Sequence, residues 1–416
     1  MKKDQDLTGD LRPFNKVANV TAYEFLGRRG MLCLTPTDNI LYVNKSVSGG
    51  NSLGSSWANA VTELADALRW AYENRDRGLW SSDRPLQIWV ADGIYKPLYS
   101  LGYRKAFVAN PVEPRDRAFL MVKNVQLFGG FPASGMPGMG ERILKPQGGS
   151  ATVLSGDYND DDSSIGKGRC LRLTNRTDNA FHIILSAGDI GENCVVDGFT
   201  IKGGGSENDG KFIRVNSESF SRAYGGGICN ILTAGCITFR NLEIIDNMAC
   251  SSSSYAYGGG IYNEIKEEGT VRWINNTLRN NIVSSSASAA AAFGGGVYNR
   301  NSKDGVMMWE GNTIENNIAT SGSLAYGGGM YNENDGLMVC RENTIGCNTA
   351  TSATLSYGGG IFNHNAGAMA WHDNKINGNK VAPFGSSFNG DGVYNRNSES
   401  GTMLWTNDGE VIFKGE

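Results

Sequence analysis

Tyr257-Gly258-Gly259-Gly260-Ile261-Tyr262-Asn263 is one of six copies of a phrase that decides the fold. The others are Tyr224-Gly225-Gly226-Gly227-Ile228-Cys229-Asn230, Phe293-Gly294-Gly295-Gly296-Val297-Tyr298-Asn299, Tyr326 through Asn332, Tyr357 through Asn363, and a worn copy, Asn389-Gly390-Asp391-Gly392-Val393-Tyr394-Asn395. The third glycines stand at 227, 260, 296, 329, 360 and 392, in steps of 33, 36, 33, 31 and 32 residues. A near-fixed period of this size marks a solenoid. Each copy carries three short apolar pulses, in the second copy Gly260-Ile261-Tyr262, Val271-Arg272-Trp273-Ile274 and Thr277-Leu278. They alternate with period two and none has helical length, which predicts strands. Three strands per copy suit one coil of a parallel β-helix. Residues 284–292 read as a loop that varies from coil to coil.

Working outward, two columns follow from the alternation. Phe239, Trp273, Trp309, Cys340, Trp371 and Trp405 form one, and Ile237, Val271, Met307, Met338, Met369 and Met403 the other. Side chains two apart share a strand face, so both columns point inward and stack. Asn230, Asn263, Asn299, Asn332, Asn363 and Asn395 form a third column, and Asn247, Asn281, Asn317, Asn348 and Asn379 a fourth. Asparagine suits bends, and stacked amides about 4.7–4.8 Å apart form ladders, so both read as structural. Strict alternation through the glycine phrase places Tyr257 and Ile261 on one face and Tyr262 on the other. Tyr262, Tyr298, Tyr331, Phe362 and Tyr394 then line a glycine floor and are the candidate ligand-binding residues. The competing reading has these rings stacked on one another beneath serine-rich loops.

The 416 residues carry a formal charge of −4, which gives no electrostatic case for nucleic acid. No apolar run reaches about 18 residues, so no transmembrane helix is expected. Residues 1–38 read as a leader or extended segment: Lys2 and Lys3 begin like a signal peptide, but Asp4, Gln5 and Asp6 follow and no apolar core appears. Residues 39–84 hold a strand at Ile40 and a capping helix, with Val61, Leu64, Ala65, Leu68, Ala71 and Tyr72 at helical spacing and Ser55 and Ser56 offered as its cap. Residues 85–416 are the β-helix, with regular coils from about 224. The eight cysteines show neither a disulfide framework nor zinc spacing. The chain ends on Val411-Ile412-Phe413 with no evident cap, which leaves room for an end-to-end or C-terminal partner.

Several stretches carry a resemblance: Gly54-Ser55-Ser56-Trp57-Ala58-Asn59-Ala60, Ile88-Trp89-Val90-Ala91-Asp92-Gly93-Ile94-Tyr95, Leu127-Phe128-Gly129-Gly130-Phe131, Thr152-Val153-Leu154-Ser155-Gly156-Asp157 and Val196-Asp197-Gly198-Phe199-Thr200-Ile201. In this order they resemble the right-handed parallel β-helix surface proteins of Bacteroidetes. The glycine phrases are also similar to the passenger repeats of polymorphic outer-membrane proteins. The resemblance implies an all-β, pectate-lyase-like right-handed parallel β-helix and a secreted or cell-surface setting. It implies less about activity, because the fold hosts lyases, hydrolases and adhesins.

Chemistry is sparse. Asp157, Asn159 and Asp161 alternate like the start of a calcium loop and are the candidate metal ligands. Asp162 stands where such a loop needs its glycine, so a solvated turn competes with a bound calcium ion; no other cofactor is expected. Arg169, Arg172 and Arg176 follow, and His182, His364 and His372 suggest no catalytic pairing. Two readings stand. One is a non-catalytic, adhesin-like surface protein that binds a glycan or a neighbouring protein. The other is a polysaccharide lyase or glycoside hydrolase, which acids and bases facing one another between the irregular stretches 99–117 and 205–222 would favour.

Overall fold

The computed structural model describes residues 33–102, 107–109, 111–144, 151–208, 210–383, 388–407 and 410–414. Most of the proposed leader, residues 1–32, lies outside them. The chain winds into a parallel β-helix whose coil has five short strands. In the coil that begins at Ile261 these are Ile261–Ile265, Gly269–Ile274, Thr277–Arg279, Ile282–Ser285 and Ala291–Phe293. Equivalent strands of successive coils pair in parallel register, building sheets of 8, 11, 8, 6 and 5 strands. We call them in coil order the asparagine, long, threonine, serine and rim sheets.

The structure therefore corrects the count of three strands per coil. The stretch 284–292 is largely paired: Ile282–Ser285 and Ala291–Phe293 each join a sheet. Its small residues fill a narrow lobe with its own core of Ala249, Ala256, Val283, Ala292, Ala319, Ala325 and Ala350. Serine, at 285, 321 and 352, reaches carbonyls within the lobe, as from Ser285 Oγ to Ser254 O at 2.8 Å.

Both inward columns are where the alternation puts them. Trp273, Trp309 and Trp371 are fully buried. Phe239 stacks on Trp273 at 4.2 Å and Trp273 on Trp309 at 5.2 Å. The asparagine columns are continuous ladders. Each amide from Asn230 to Asn363 donates to the next coil's carbonyl oxygen at 2.7–2.8 Å. The column from Asn247 does so at 3.0–3.1 Å. A third ladder, Asn276, Asn312, Asn343 and Asn374, was not foreseen.

The three glycines of the phrase serve three needs. Gly258 has φ +62°, and a Cβ there would lie 1.9 Å from Ile261 O. A Cβ on Gly259 would meet backbone of Gly295 and Ile282 at 2.4 Å, and one on Gly260 would meet Asn281 and Gly296 O at 2.9 Å. In the worn copy Asp391 replaces the middle glycine, and its carboxylate accepts the Val381 N–H at 2.8 Å.

At the N-terminal end the helix α1, Leu64–Asn74, packs Leu64, Leu68 and Ala71 into the same core as Leu41, Val43 and Leu120. Ser56 caps the preceding 3-10 turn Trp57–Asn59 and not α1. At the other end Glu410–Lys414 folds back antiparallel on Thr402–Asn407 and forms the last strand of the long sheet.

Candidate functional site

The glycine phrase does not put the Tyr262 column on an open ridge. The left-handed Gly258 resets the alternation, so Tyr257 lands on the same side as Tyr262, at 6.4 Å. Two aromatic rows result. The inner row is Tyr262, Tyr298, Tyr331, Phe362 and Tyr394, of which the first four are 4–9% exposed and Tyr394 is half-buried. The outer row is Tyr224, Tyr257, Phe293, Tyr326 and Tyr357, all half-buried. Inner neighbours lie 5.0–5.2 Å apart, and from Tyr262 to Phe362 they are parallel within 6°. The rows meet edge to face, as Tyr257 on Tyr298 at 4.9 Å and 74°. Interior ring faces are thus taken by the coils before and after, and edges face outward. Tyr262 donates to Glu264 at 3.0 Å and Tyr298 to Glu333 at 2.7 Å, and burial pushes both phenols well up.

A different outward surface is open. On the long sheet, two columns in register read Thr270, Val306, Leu337, Ala368, Thr402 and Arg272, Met308, Val339, Ala370, Leu404. They alternate with the buried methionine and tryptophan columns, so they face away from the core. Leu337 is 42% and Leu404 36% exposed. Near the start of the same sheet the outward Tyr42, Trp89, Phe128 and Val195 are covered by Trp57, Phe131 and Ala133. Val306, Met308, Val339 and Ala370 are half-buried, and Leu337, Ala368 and Leu404 are exposed.

The charged groups gather on the irregular coils. Asp157, Asp161 and Asp178 bring carboxylate oxygens within 4.8 Å of one another. These are the donors a hard divalent cation takes. Asp178 was missed, because it returns from beyond the antiparallel pair Ser163–Ile165 and Arg172–Thr174. Asn159 enters through its backbone N–H, which donates to Asp178 at 2.9 Å. Asp157 accepts the Asp161 and Asp162 N–H groups at 3.3 and 3.2 Å. Beside it a cleft of about 200 Å³ is lined by Asp157, Asp160, Asp162, Arg176, Lys202 and Asp246. Burial pushes the Asp162 carboxyl up to about 6 although Arg176 lies 3.3 Å away. Of the three arginines proposed for this region, Arg176 reaches the cleft and Arg172 is exposed elsewhere. His182 is fully buried against Gly225 O at 3.0 Å, and burial pushes it down to about 4.

The stretches 99–117 and 205–222 do bring acids and bases face to face. Arg222 donates to both Asp116 oxygens, at 2.8 and 2.5 Å. Arg115 reaches Glu207 at 3.2 Å and the carbonyls of Gly205 and Asn179 at 2.7 and 2.8 Å. Both guanidiniums lie over the Phe181 ring, at 4.2 and 4.6 Å. These groups engage one another as a clamp between coils.

No family model matches the chain, and no curated protein matches it. Among solved structures, PfbA, a surface adhesin of Streptococcus pneumoniae, is similar at 10% identity over 86% of this chain and 92% of that one, with a TM-score of 0.23. A superposition this loose carries no inference from that protein to this one. No helix among the described residues is long and apolar enough to cross a membrane.

Proposed function

We propose that the protein is a non-catalytic, adhesin-like binding rod of a secreted or cell-surface kind, and that its partner is a protein carrying exposed apolar side chains. The observation that supports this is the flat outward lane of Val306, Met308, Leu337, Val339, Ala368, Ala370 and Leu404. A contiguous apolar surface on a rigid scaffold is the usual mark of an interaction site. The lane offers few hydrogen-bond donors to sugar hydroxyls, and the aromatic rows offer edges where a sugar ring stacks on faces. The N-terminal coils meet the same need with Trp57 and Phe131 of their own chain, and a partner's large apolar side chains meet it here. The test is an array carrying glycans and purified cell-surface proteins, with each glycan hit followed for chain cleavage. The expected result is binding to protein spots that falls about tenfold or more in Leu337→Glu/Val339→Glu while thermal unfolding is unchanged. Binding retained by that variant overturns the assignment of the lane.

A second reading, a polysaccharide lyase or hydrolase, draws on the raised Asp162 carboxyl in a cleft with Arg176 and Lys202. Chain cleavage by the wild type that Asp162→Asn abolishes would establish it and remove the first.

A further inference from the structure

The outer aromatic row holds two places where tyrosine follows tyrosine, Tyr224 with Tyr257 and Tyr326 with Tyr357. The two pairs differ in geometry. Tyr224 and Tyr257 meet edge to face at 84° with centroids 5.0 Å apart. Tyr326 and Tyr357 are stacked, 5.4 Å apart and 6° from parallel. In that pair the two residues stand in register on neighbouring strands, so the step from one coil to the next carries one ring, with the carbons beside its phenol oxygen, onto the other. Both rings are half-buried, so solvent reaches their edges. The inner-row pairs Tyr262–Tyr298 and Tyr298–Tyr331 stack similarly. They lie beneath the outer row, and two of their hydroxyls are held by Glu264 and Glu333.

We propose that Tyr326 and Tyr357 form an oxidative cross-linking site that joins two successive coils through a dityrosine bond. Peroxide is the oxidant, acting through a one-electron oxidising catalyst. Each phenol gives up one electron and its hydroxyl proton. The two phenoxyl radicals join at the ring carbons ortho to oxygen, and the hydrogens on those carbons move to the oxygens and restore both phenols. In sum one carbon–carbon bond forms, two hydrogens leave the protein, and one hydrogen peroxide becomes two waters. Pre-set proximity makes coupling within the molecule outrun coupling between molecules at low concentration. The product is a covalent staple on the rim of the coil, close to the C-terminal end of the regular rod.

The experiment treats dilute full-length protein with hydrogen peroxide and a haem peroxidase, isolates the monomer, and reads dityrosine fluorescence and the cross-linked peptides by mass. The expected product is a peptide pair containing Tyr326 and Tyr357 that is two hydrogens lighter than its parts. Tyr326→Phe and Tyr357→Phe should each lower the monomer's fluorescence by about tenfold, and Tyr224→Phe should leave it unchanged. Phenylalanine is tolerated in this row, because Phe293 already occupies it between Tyr257 and Tyr326 at 5.0 and 5.1 Å. Thermal unfolding of each variant checks that its coils are intact. The assignment fails if dityrosine is absent from the monomer, appears only in covalent dimers, or maps to Tyr224, Tyr255 or the inner row.

Discussion

The regular coils, from residue 224 onward, and the irregular coils before them solve one problem in two ways. Both must satisfy polar backbone groups at buried corners. The regular coils do it with neutral amides. Asn317, for example, accepts the Asn281 N–H at 3.0 Å and donates to Leu278 O at 3.0 Å and to Asn348 at 3.0 Å. Because every coil repeats the corner, each donor finds its acceptor one step along. The irregular coils lack that translation, so their stray carbonyls are reached by long arginines. Arg142 joins Gly129 O at 2.7 Å, Asp197 O at 2.9 Å and the Asp197 carboxylate at 3.1 Å. Repetition thus replaces charge, and where repetition lapses charged clamps return.

The largest effect should come from breaking the repeat's backbone contact. A Cβ on Gly295 would lie 2.2 Å from Gly328 O and 2.5 Å from the Ile318 backbone. Gly295→Ala should cost more than about 4–5 kcal/mol, enough to prevent a stable rod. Asp391→Ala, at the equivalent place in the last copy, should leave the fold intact and lose only the bond to Val381. Circular dichroism and chemical denaturation distinguish the two. Equal destabilisation would show that the glycines are not there for coil-to-coil approach.

A smaller pair of changes sharpens the contrast between neutral ladder and charged clamp. Asn317→Ala orphans the Asn281 N–H and Leu278 O, at about 1–3 kcal/mol each. Arg222→Met leaves Asp116 without its bidentate partner, and the Arg222 side chain is only 4% exposed. Breaking such a pair typically costs about 3–5 kcal/mol. The discriminating readout is salt. Raising ionic strength should leave the cost of Asn317→Ala unchanged and should narrow the gap between Arg222→Met and wild type only slightly, because screening acts on charges and acts weakly on a pair this buried. Parallel salt dependence in both variants would erase the distinction.

The same contrast explains what the sequence disclosed. The tryptophan and methionine columns and two asparagine ladders recur at a fixed place in each coil, so counting finds them. The third ladder was harder to see, because its column opens on Leu242, whose N–H donates to Asn276. The serine and alanine strands hid because small residues carry little β-propensity and look like loop. The aromatic faces were misassigned at one residue, Gly258, since alternation cannot be counted through a left-handed glycine. In the irregular coils Asp178 joins Asp157 and Arg222 joins Asp116 across long stretches of chain, and no period announces such meetings. The fold was legible wherever it repeats, and the charged cleft lies where it does not.

The least disruptive test lies in that cleft. Burial pushes the Asp162 carboxyl up to about 6 from an ordinary 3.8 and outweighs the pull of Arg176. Between those values the folded state holds more protons than the unfolded one. Stability from this group is therefore present below the unfolded value and is lost as pH rises through about 6. The side chain keeps 16% of its surface exposed and Arg176 lies beside it, so the effect is modest and is read as a slope. Asp197 works in the opposite sense. Burial pushes its carboxyl up, but Arg142 and Asn241 hold it below the ordinary range, so its contribution is present at neutral pH and is lost on acidification through its folded value. Asp162→Asn should flatten the decline between about pH 4 and 6 and leave the acid limb set by Asp197 in place. Denaturation midpoints of the two proteins across that window decide it. If the variant keeps the wild-type slope, Asp162 is ionised in the folded chain like any surface carboxylate, and the cleft loses the one property that separates it from the clamps around it.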